Sequence, residues 1–258
     1  MNRIDILFQK KKNNILSVFF TAGHPNLNDT VTIIKKLEES GADMIEIGMP
    51  FSDPLADGPV IQKTSEQALK NGMTLDRLFE QLKDIRDKVK IPLLLMGYLN
   101  PVFKYGIERF AKKCHEVGID GLILPDLPAS EYLRDFKKLF EANNLHNIFL
   151  ITPQTSSDRV KQIDELTGGF IYMVSSASTT GTKTGIDEIQ TAYFERIKDL
   201  KLNSPRLIGF GIKDKSTFEN ACNYANGAII GSAFVKSLEL SRDINSNIER
   251  FIKSVINK

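Results

Sequence analysis

The sequence has no tryptophan, and only two cysteines and three histidines in 258 residues. Cys114 and Cys222 stand far apart and in no C-x-x-C pattern. That excludes a disulfide-stapled scaffold and a thioredoxin-like redox motif, and it fits a reducing, cytoplasmic compartment. His24, His115 and His146 are scattered, so nothing has metal-ligand spacing and no metal is expected. Long apolar runs are missing as well. The longest, "IPLLLMGYL", contains a proline and is too short to span a bilayer. Near the start, charge interrupts "IDILFQKKKNN", so no signal peptide is expected there. Nor is there an excess of one charge. The 34 basic and 32 acidic residues leave +2, which provides no field for nucleic acid or an acidic membrane. The short run Lys10-Lys11-Lys12 reads as a solvated face.

What is present is an ordinary globular balance, 41 % hydrophobic and 26 % charged, enough to bury a real core. Eight short apolar runs recur: "ILSVFFT" (15–21), "ADMIEIG" (42–48), "IPLLLMGY" (91–98), "DGLILP" (120–125), "NIFLIT" (147–152), "FIYMVS" (170–175), "RLIGFG" (206–211) and "NGAIIGS" (226–232). Most are apolar at nearly every position, the pattern of parallel strands covered on both faces. Helical segments separate them, such as "NDTVTIIKKLEESG", with Asn28 or Asp29 as cap and Gly41 as stop. Eight strands alternating with helices predict one (β/α)₈ barrel domain over residues 1–258. An open doubly wound sheet is the alternative, weakened because no G-x-G-x-x-G follows the first strand. An extra N-terminal helix through Ile4, Leu7 and Phe8 is expected to close the barrel floor, and "AFVKSLEL" to form a short extra helix after strand eight.

The most informative stretch is "EIGMPFSDPLADGP" (46–59). Strand side chains alternate, so Ile45 and Ile47 share one face while Met44, Glu46 and Gly48 share the other. The isoleucines suit the helix layer. Glu46 then points into the barrel near the strand's C-terminal end, where barrel enzymes do chemistry. A buried carboxyl raises its pKa instead of staying charged, which is what a proton-transferring acid needs. A structural glutamate bonded to nearby backbone is the competing reading. Pro50, Pro54 and Pro59 restrict the following loop, which can aim Asp57 at the same cavity. Two carboxylates in different surroundings can take opposite roles. Asp53, in "SDP", reads as a turn former.

On these residues the chain resembles the tryptophan synthase alpha subunit family. The similarity continues in "FFTAGHP" (19–25), "MGYLNPVFKYG" (96–106), "GLILPDLPASE" (121–131), "YMVSSASTTG" (172–181), "GFGI" (209–212) and "IIGSAFVK" (229–236), covering nearly the whole chain in order. The resemblance implies a (β/α)₈ barrel that cleaves indole-3-glycerol phosphate to indole and glyceraldehyde 3-phosphate. This retro-aldol reaction needs no cofactor in this subunit. By the same resemblance, Glu46 matches the acid/base and Asp57 the carboxylate that holds the indole N–H. Gly181, Gly211, Gly231 and Ser232 match phosphate contacts. Thr180 matches a threonine that reaches toward the Asp57 position. Phe19, Tyr98, Ile123 and Tyr172 match the indole pocket wall. Ser176 and Ser178 depart from the commoner arginine and glycine, as do Gly97 and Leu99 from residues common at their positions. "SSASTTGTKTG" (175–185) has almost no large apolar residue and is expected to act as a closing lid.

The resemblance further implies a beta-subunit partner carrying pyridoxal phosphate, in an alpha2-beta2 tetramer. Met49, Phe51, Pro54 and Leu55 are apolar residues of a mouth loop beside Asp53, a composition that suits a docking surface. A free-standing indole-releasing lyase and a non-catalytic activating subunit are the other readings. Intact Glu46 and Asp57 speak against the second.

Overall fold

The computed structural model describes residues 1–54, 57–174, 188–209 and 211–256. Eight parallel strands close into a barrel in sequence order. They are β1 (Ile15–Thr21), β2 (Met44–Gly48), β3 (Leu93–Met96), β4 (Gly121–Ile123), β5 (His146–Ile151), β6 (Ile171–Val174), β7 (Arg206–Gly209) and β8 (Gly227–Ile230). All eight expected strands are present, most of them shorter than the apolar runs that announced them. Pro92 has no N–H for the ladder, and Leu124-Pro125 turns away after a three-residue β4. Closure comes from β1, which pairs with β2 through Phe19↔Glu46 and with β8 through Ser17↔Ile229.

Alternation sorts the side chains into two cores. Ile15, Met44, Leu94, Ile123, Leu207 and Ile229 belong to the inner cluster. Val18, Phe20, Ile45, Ile47, Leu93 and Leu95 pack into the outer cluster against the helices. The expected direction of Ile45 and Ile47 is therefore observed.

The N-terminal helix Arg3–Lys10 plugs the barrel floor, with Ile4 and Phe8 joining the inner cluster and Leu7 packed beside it. Asn2 caps this helix by accepting the Ile4 N–H at 2.9 Å, and it donates to the Asp120 carbonyl at 2.7 Å. Asp120 is buried and gathers Arg3, Arg86 and the Leu93 N–H, which ties the plug to the start of β3 and β4. Gly41 ends helix Thr30–Ser40 in the left-handed region, as its place in the sequence predicts.

Two helices were not legible. "YLNPVF" reads as a loop, yet Leu99–Tyr105 is helical. Pro101 sits in its first turn, where a missing N–H costs nothing, and Asp126 accepts the Leu99 N–H at 3.0 Å. Pro59–Lys70 is also a helix, opened by proline at its first position. The expected short helix after strand eight is Ser232–Ser237.

Candidate active site

Glu46 lies on β2, two residues before its end, and is fully buried. Ser17 on β1 donates its hydroxyl to Glu46 Oε1 at 2.8 Å. Oε2 has no hydrogen-bond partner among the described residues. Burial pushes the Glu46 carboxyl up to about 8, and the Ser17 bond opposes that rise. At pH 7 the acid is therefore mostly protonated, as the alternation argument anticipates.

Asp57 follows in the loop between β2 and helix Pro59–Lys70. The Gln62 amide of that helix holds the loop by donating to the Asp57 carbonyl at 2.8 Å. Tyr98, just beyond β3, donates its phenol to Asp57 Oδ2 at 3.3 Å. Burial raises the Asp57 carboxyl above its ordinary value, and the Tyr98 bond holds it down. The Tyr98 ring also packs on Phe51 at 5.3 Å between centroids.

Tyr172, on β6, is near enough to both acids to feel their charge. Burial raises its phenol, and the negative charges of Glu46 and Asp57 raise it further. Three groups from β2, its loop and β6 thus share one electrostatic environment. Phe19 pairs with Glu46 in register, and Ile123 lies in the inner cluster. A side chain at Gly48 would meet the Phe19 ring at 2.6 Å, and one at Gly231 at 3.5 Å. Phe19 therefore lies between the Glu46 strand and the end of β8.

Gly211 has φ +76, a conformation that side-chain-bearing residues rarely adopt. Gly231 immediately precedes helix Ser232–Ser237. Thr180 and Gly181, with Ser176, Ser178 and Leu55, lie outside the described residues.

Three features of the site were not anticipated. Ser17 is the first. Its signal was available, because alternation puts Ile15, Ser17 and Phe19 on one face. Tyr98 is the second: expected as pocket wall, it is also the donor to Asp57. Gly209 is the third. A Cβ there would come 2.4 Å from the Tyr172 hydroxyl, so the glycine leaves room for that ring. Two other surface clefts are remote from this mouth. One, of about 370 Å³, lies on the floor beside Phe8 and Arg206; the other, of about 410 Å³, lies beside Asp76 and Arg109. Neither includes Glu46, Asp57 or Tyr172.

Fold and site together define a (β/α)₈-barrel enzyme with one fully buried and one half-buried carboxyl at the C-terminal ends of its strands. Comparison with known proteins narrows this. Tryptophan synthase alpha chain, as a family, matches residues 6–257. The chain is 58 % identical over 255 residues to the tryptophan synthase alpha chain of Flavobacterium psychrophilum, covering 99 % of this chain and 100 % of that one. It is 52 % identical over 255 residues to that of Parabacteroides distasonis, covering 99 % of each. Among solved structures, tryptophan synthase subunit alpha from Legionella pneumophila superposes with a TM-score of 0.89 at 34 % identity, over 99 % of this chain and 97 % of that one. A chain of the tryptophan synthase complex from Pyrococcus furiosus gives 0.87 at 31 %, over 96 % and 100 %.

The chain belongs to the tryptophan synthase alpha chain family. It is a carbon–carbon lyase of tryptophan biosynthesis that cleaves indole-3-glycerol phosphate to indole and glyceraldehyde 3-phosphate. Membership of the family implies a beta-chain partner. Among the described residues, no helix is long and apolar enough to cross a membrane.

Proposed function

We propose that Glu46 is the general acid and base of the cleavage and that Asp57 is its electrostatic partner. The observation that carries this reading is the Glu46 carboxyl: fully buried, its pKa pushed up to about 8 by that burial, and with one oxygen unbonded among the described residues. Glu46 delivers its proton to indole C3, and positive charge spreads to the ring nitrogen. Asp57 accepts the indole N–H and stabilises that charge as it develops. Glu46, now a carboxylate, takes the proton of the glycerol hydroxyl next to the ring. The carbon–carbon bond then breaks, its electron pair returns to the indole ring, and the hydroxyl carbon becomes the aldehyde of glyceraldehyde 3-phosphate. The proton that left the hydroxyl restores Glu46.

Phe19, Tyr98, Ile123 and Tyr172 wall the indole pocket in this reading. Gly211, Gly231 and Ser232 hold the phosphate with backbone N–H groups and a hydroxyl, joined by Gly181, and Thr180 reaches toward Asp57. The whole chain works as one barrel unit in the cytoplasm. It docks its mouth on a beta subunit in an alpha2-beta2 tetramer. Pyridoxal phosphate belongs to that partner, and this chain needs no cofactor of its own. Two exposed apolar residues near the mouth support the docking face: Phe103 at 52 % and Leu133 at 48 % exposure. The test is to mix the purified protein with indole-3-glycerol phosphate and measure indole, with and without a beta chain. Slow release alone and fast release with the partner supports the subunit reading. An equal rate in both arms overturns it.

A further inference from the structure

Ser17 has no place in the roles assigned above, yet among the described residues it is the one whose side chain bonds to the Glu46 carboxyl. It lies at 0 % exposure on the inward face of β1, one layer below Phe19. The groups around it are Met44, its register partner on β2, and Ile229 on β8. A hydroxyl so placed needs an acceptor, because an unmade hydrogen bond in an apolar interior is costly. Glu46 Oε1, at 2.8 Å, is the acceptor the structure provides, and no other side chain among the described residues bonds to Ser17.

We propose that Ser17 is the positioning residue for Glu46, holding Oε1 so that Oε2 is the oxygen that carries and transfers the proton. The inference rests on the reading of Glu46 as the acid. A serine hydroxyl has a single hydrogen. If that hydrogen points at Oε1, a proton on Oε1 would weaken the bond, because the hydroxyl oxygen of a carboxylic acid is a poorer acceptor than its carbonyl oxygen. The Ser17 bond thus favours Oε1 as the carbonyl. The proton therefore resides on Oε2, the oxygen without a partner among the described residues. Glu has three side-chain torsions, and holding one oxygen fixes where the other lies. The charged and titratable groups facing Glu46 are few. Tyr172 approaches from β6, and Asp57 comes from the loop after β2 with Tyr98 bonded to it. β1 contributes only Ser17, and Leu94, the register partner on β3, is apolar.

The test compares Ser17→Ala, Ser17→Thr and Ser17→Cys with wild type. One readout is independent of activity: the infrared carboxyl band of Glu46, assigned by its loss in Glu46→Gln and followed as pH rises. Because the Ser17 bond favours the ionised form, Ser17→Ala should move the midpoint up by about one pH unit. The alkaline limb of kcat/KM should move with it. Turnover should fall about tenfold while KM changes less than about twofold, as loss of positioning requires. Ser17→Thr keeps the donor and should restore both midpoint and rate. Ser17→Cys, a weaker donor of similar size, should fall between them, and it stands in if the alanine variant fails to fold. An unmoved infrared midpoint in folded Ser17→Ala or Ser17→Cys overturns the hydrogen bond. A moved midpoint with unchanged turnover overturns the positioning role. Full activity in Glu46→Gln overturns the acid assignment itself, an outcome separate from both.

Discussion

Tyr98 donates its phenol to Asp57 Oδ2 across 3.3 Å, joining the end of β3 to the loop after β2. The bond opposes the effect of burial on Asp57, so its removal should raise that carboxyl further. In Tyr98→Phe we expect the acidic limb of the pH–rate profile to move to higher pH, and turnover to fall about three- to tenfold. Asp57→Asn removes the charge altogether and should cost at least about a hundredfold. Steady-state kinetics between pH 5 and 9 check both. If Tyr98→Phe leaves the acidic limb in place, the phenol does not tune Asp57.

Glu46 makes the opposite demand on stability. Its folded pKa, about 8, lies above the ordinary 4.5, so the native state holds a proton that the unfolded chain has released between those values. Stability is thus greatest below 4.5 and declines as pH rises toward 8. Between pH 5.5 and 8 this one group removes about 3 kcal/mol, as an order of magnitude. Glu46→Gln should abolish most indole formation. It should also flatten this part of the curve, so that the variant gains on wild type as pH rises. Urea titrations at pH 5.5 and 8.5 measure it. A constant stability difference at the two pH values would contradict the raised carboxyl.

Gly209 and Tyr172 compete for the same space. A Cβ at Gly209 would overlap the Tyr172 ring, with the hydroxyl at 2.4 Å. Gly209→Ala should therefore lower kcat/KM at least about tenfold by displacing a ring beside both carboxyls. In a Tyr172→Leu background the same change should cost less than about threefold. A double-mutant cycle reads the coupling. Additive losses would show that the glycine matters for another reason.

Gly211 is tested through its backbone. At φ +76 an alanine is strained by about 1–2 kcal/mol whatever space surrounds it. Gly211→Ala should lower stability by about that much and raise the substrate KM, with little effect on binding of indole analogues that lack phosphate. Calorimetric titration of both ligand types separates the two. Equal loss for both would assign the glycine to folding alone.

Phe103 packs on Phe136 at 5.9 Å between centroids and still exposes half its surface. Phe103→Ser combined with Leu133→Ser should weaken beta-chain association about tenfold or more and leave the basal rate within about twofold. Sedimentation and indole release check the two quantities. Asp53→Ala is expected to behave alike. Unchanged association in the double serine variant would move the docking face elsewhere on the barrel.

The strands were legible because a strand covered on both faces has almost no polar position to confuse the pattern. Glu46 stood out for the same reason, as an acid where every neighbour is apolar. Ser17 obeys the same alternation, but serine is small and common, and only its distance to Glu46 gives it meaning. Helix Pro59–Lys70 escaped because its buried face includes Thr64 and Ser65, which blur an apolar stripe. Helix Leu99–Tyr105 escaped because proline reads as a breaker, although a first turn accepts it. The contact from Tyr98 to Asp57 spans 41 positions, and no local pattern records it.

Beneath Ser17 the barrel continues as Ile15, Leu207 and Ile148 down to Ile4 and Phe8 of the plug helix. Among the described residues this inner stack is apolar, and no second acid continues it below Glu46. In the proposed mechanism Glu46 therefore exchanges protons through the mouth, the same opening that substrate fills. Bound substrate, in that mechanism, covers the opening and shuts the carboxyl off from the bulk. The proton spent on indole C3 must then be recovered from the molecule being cut. In that mechanism each turnover closes its own proton cycle, with solvent hydrogen entering between turnovers.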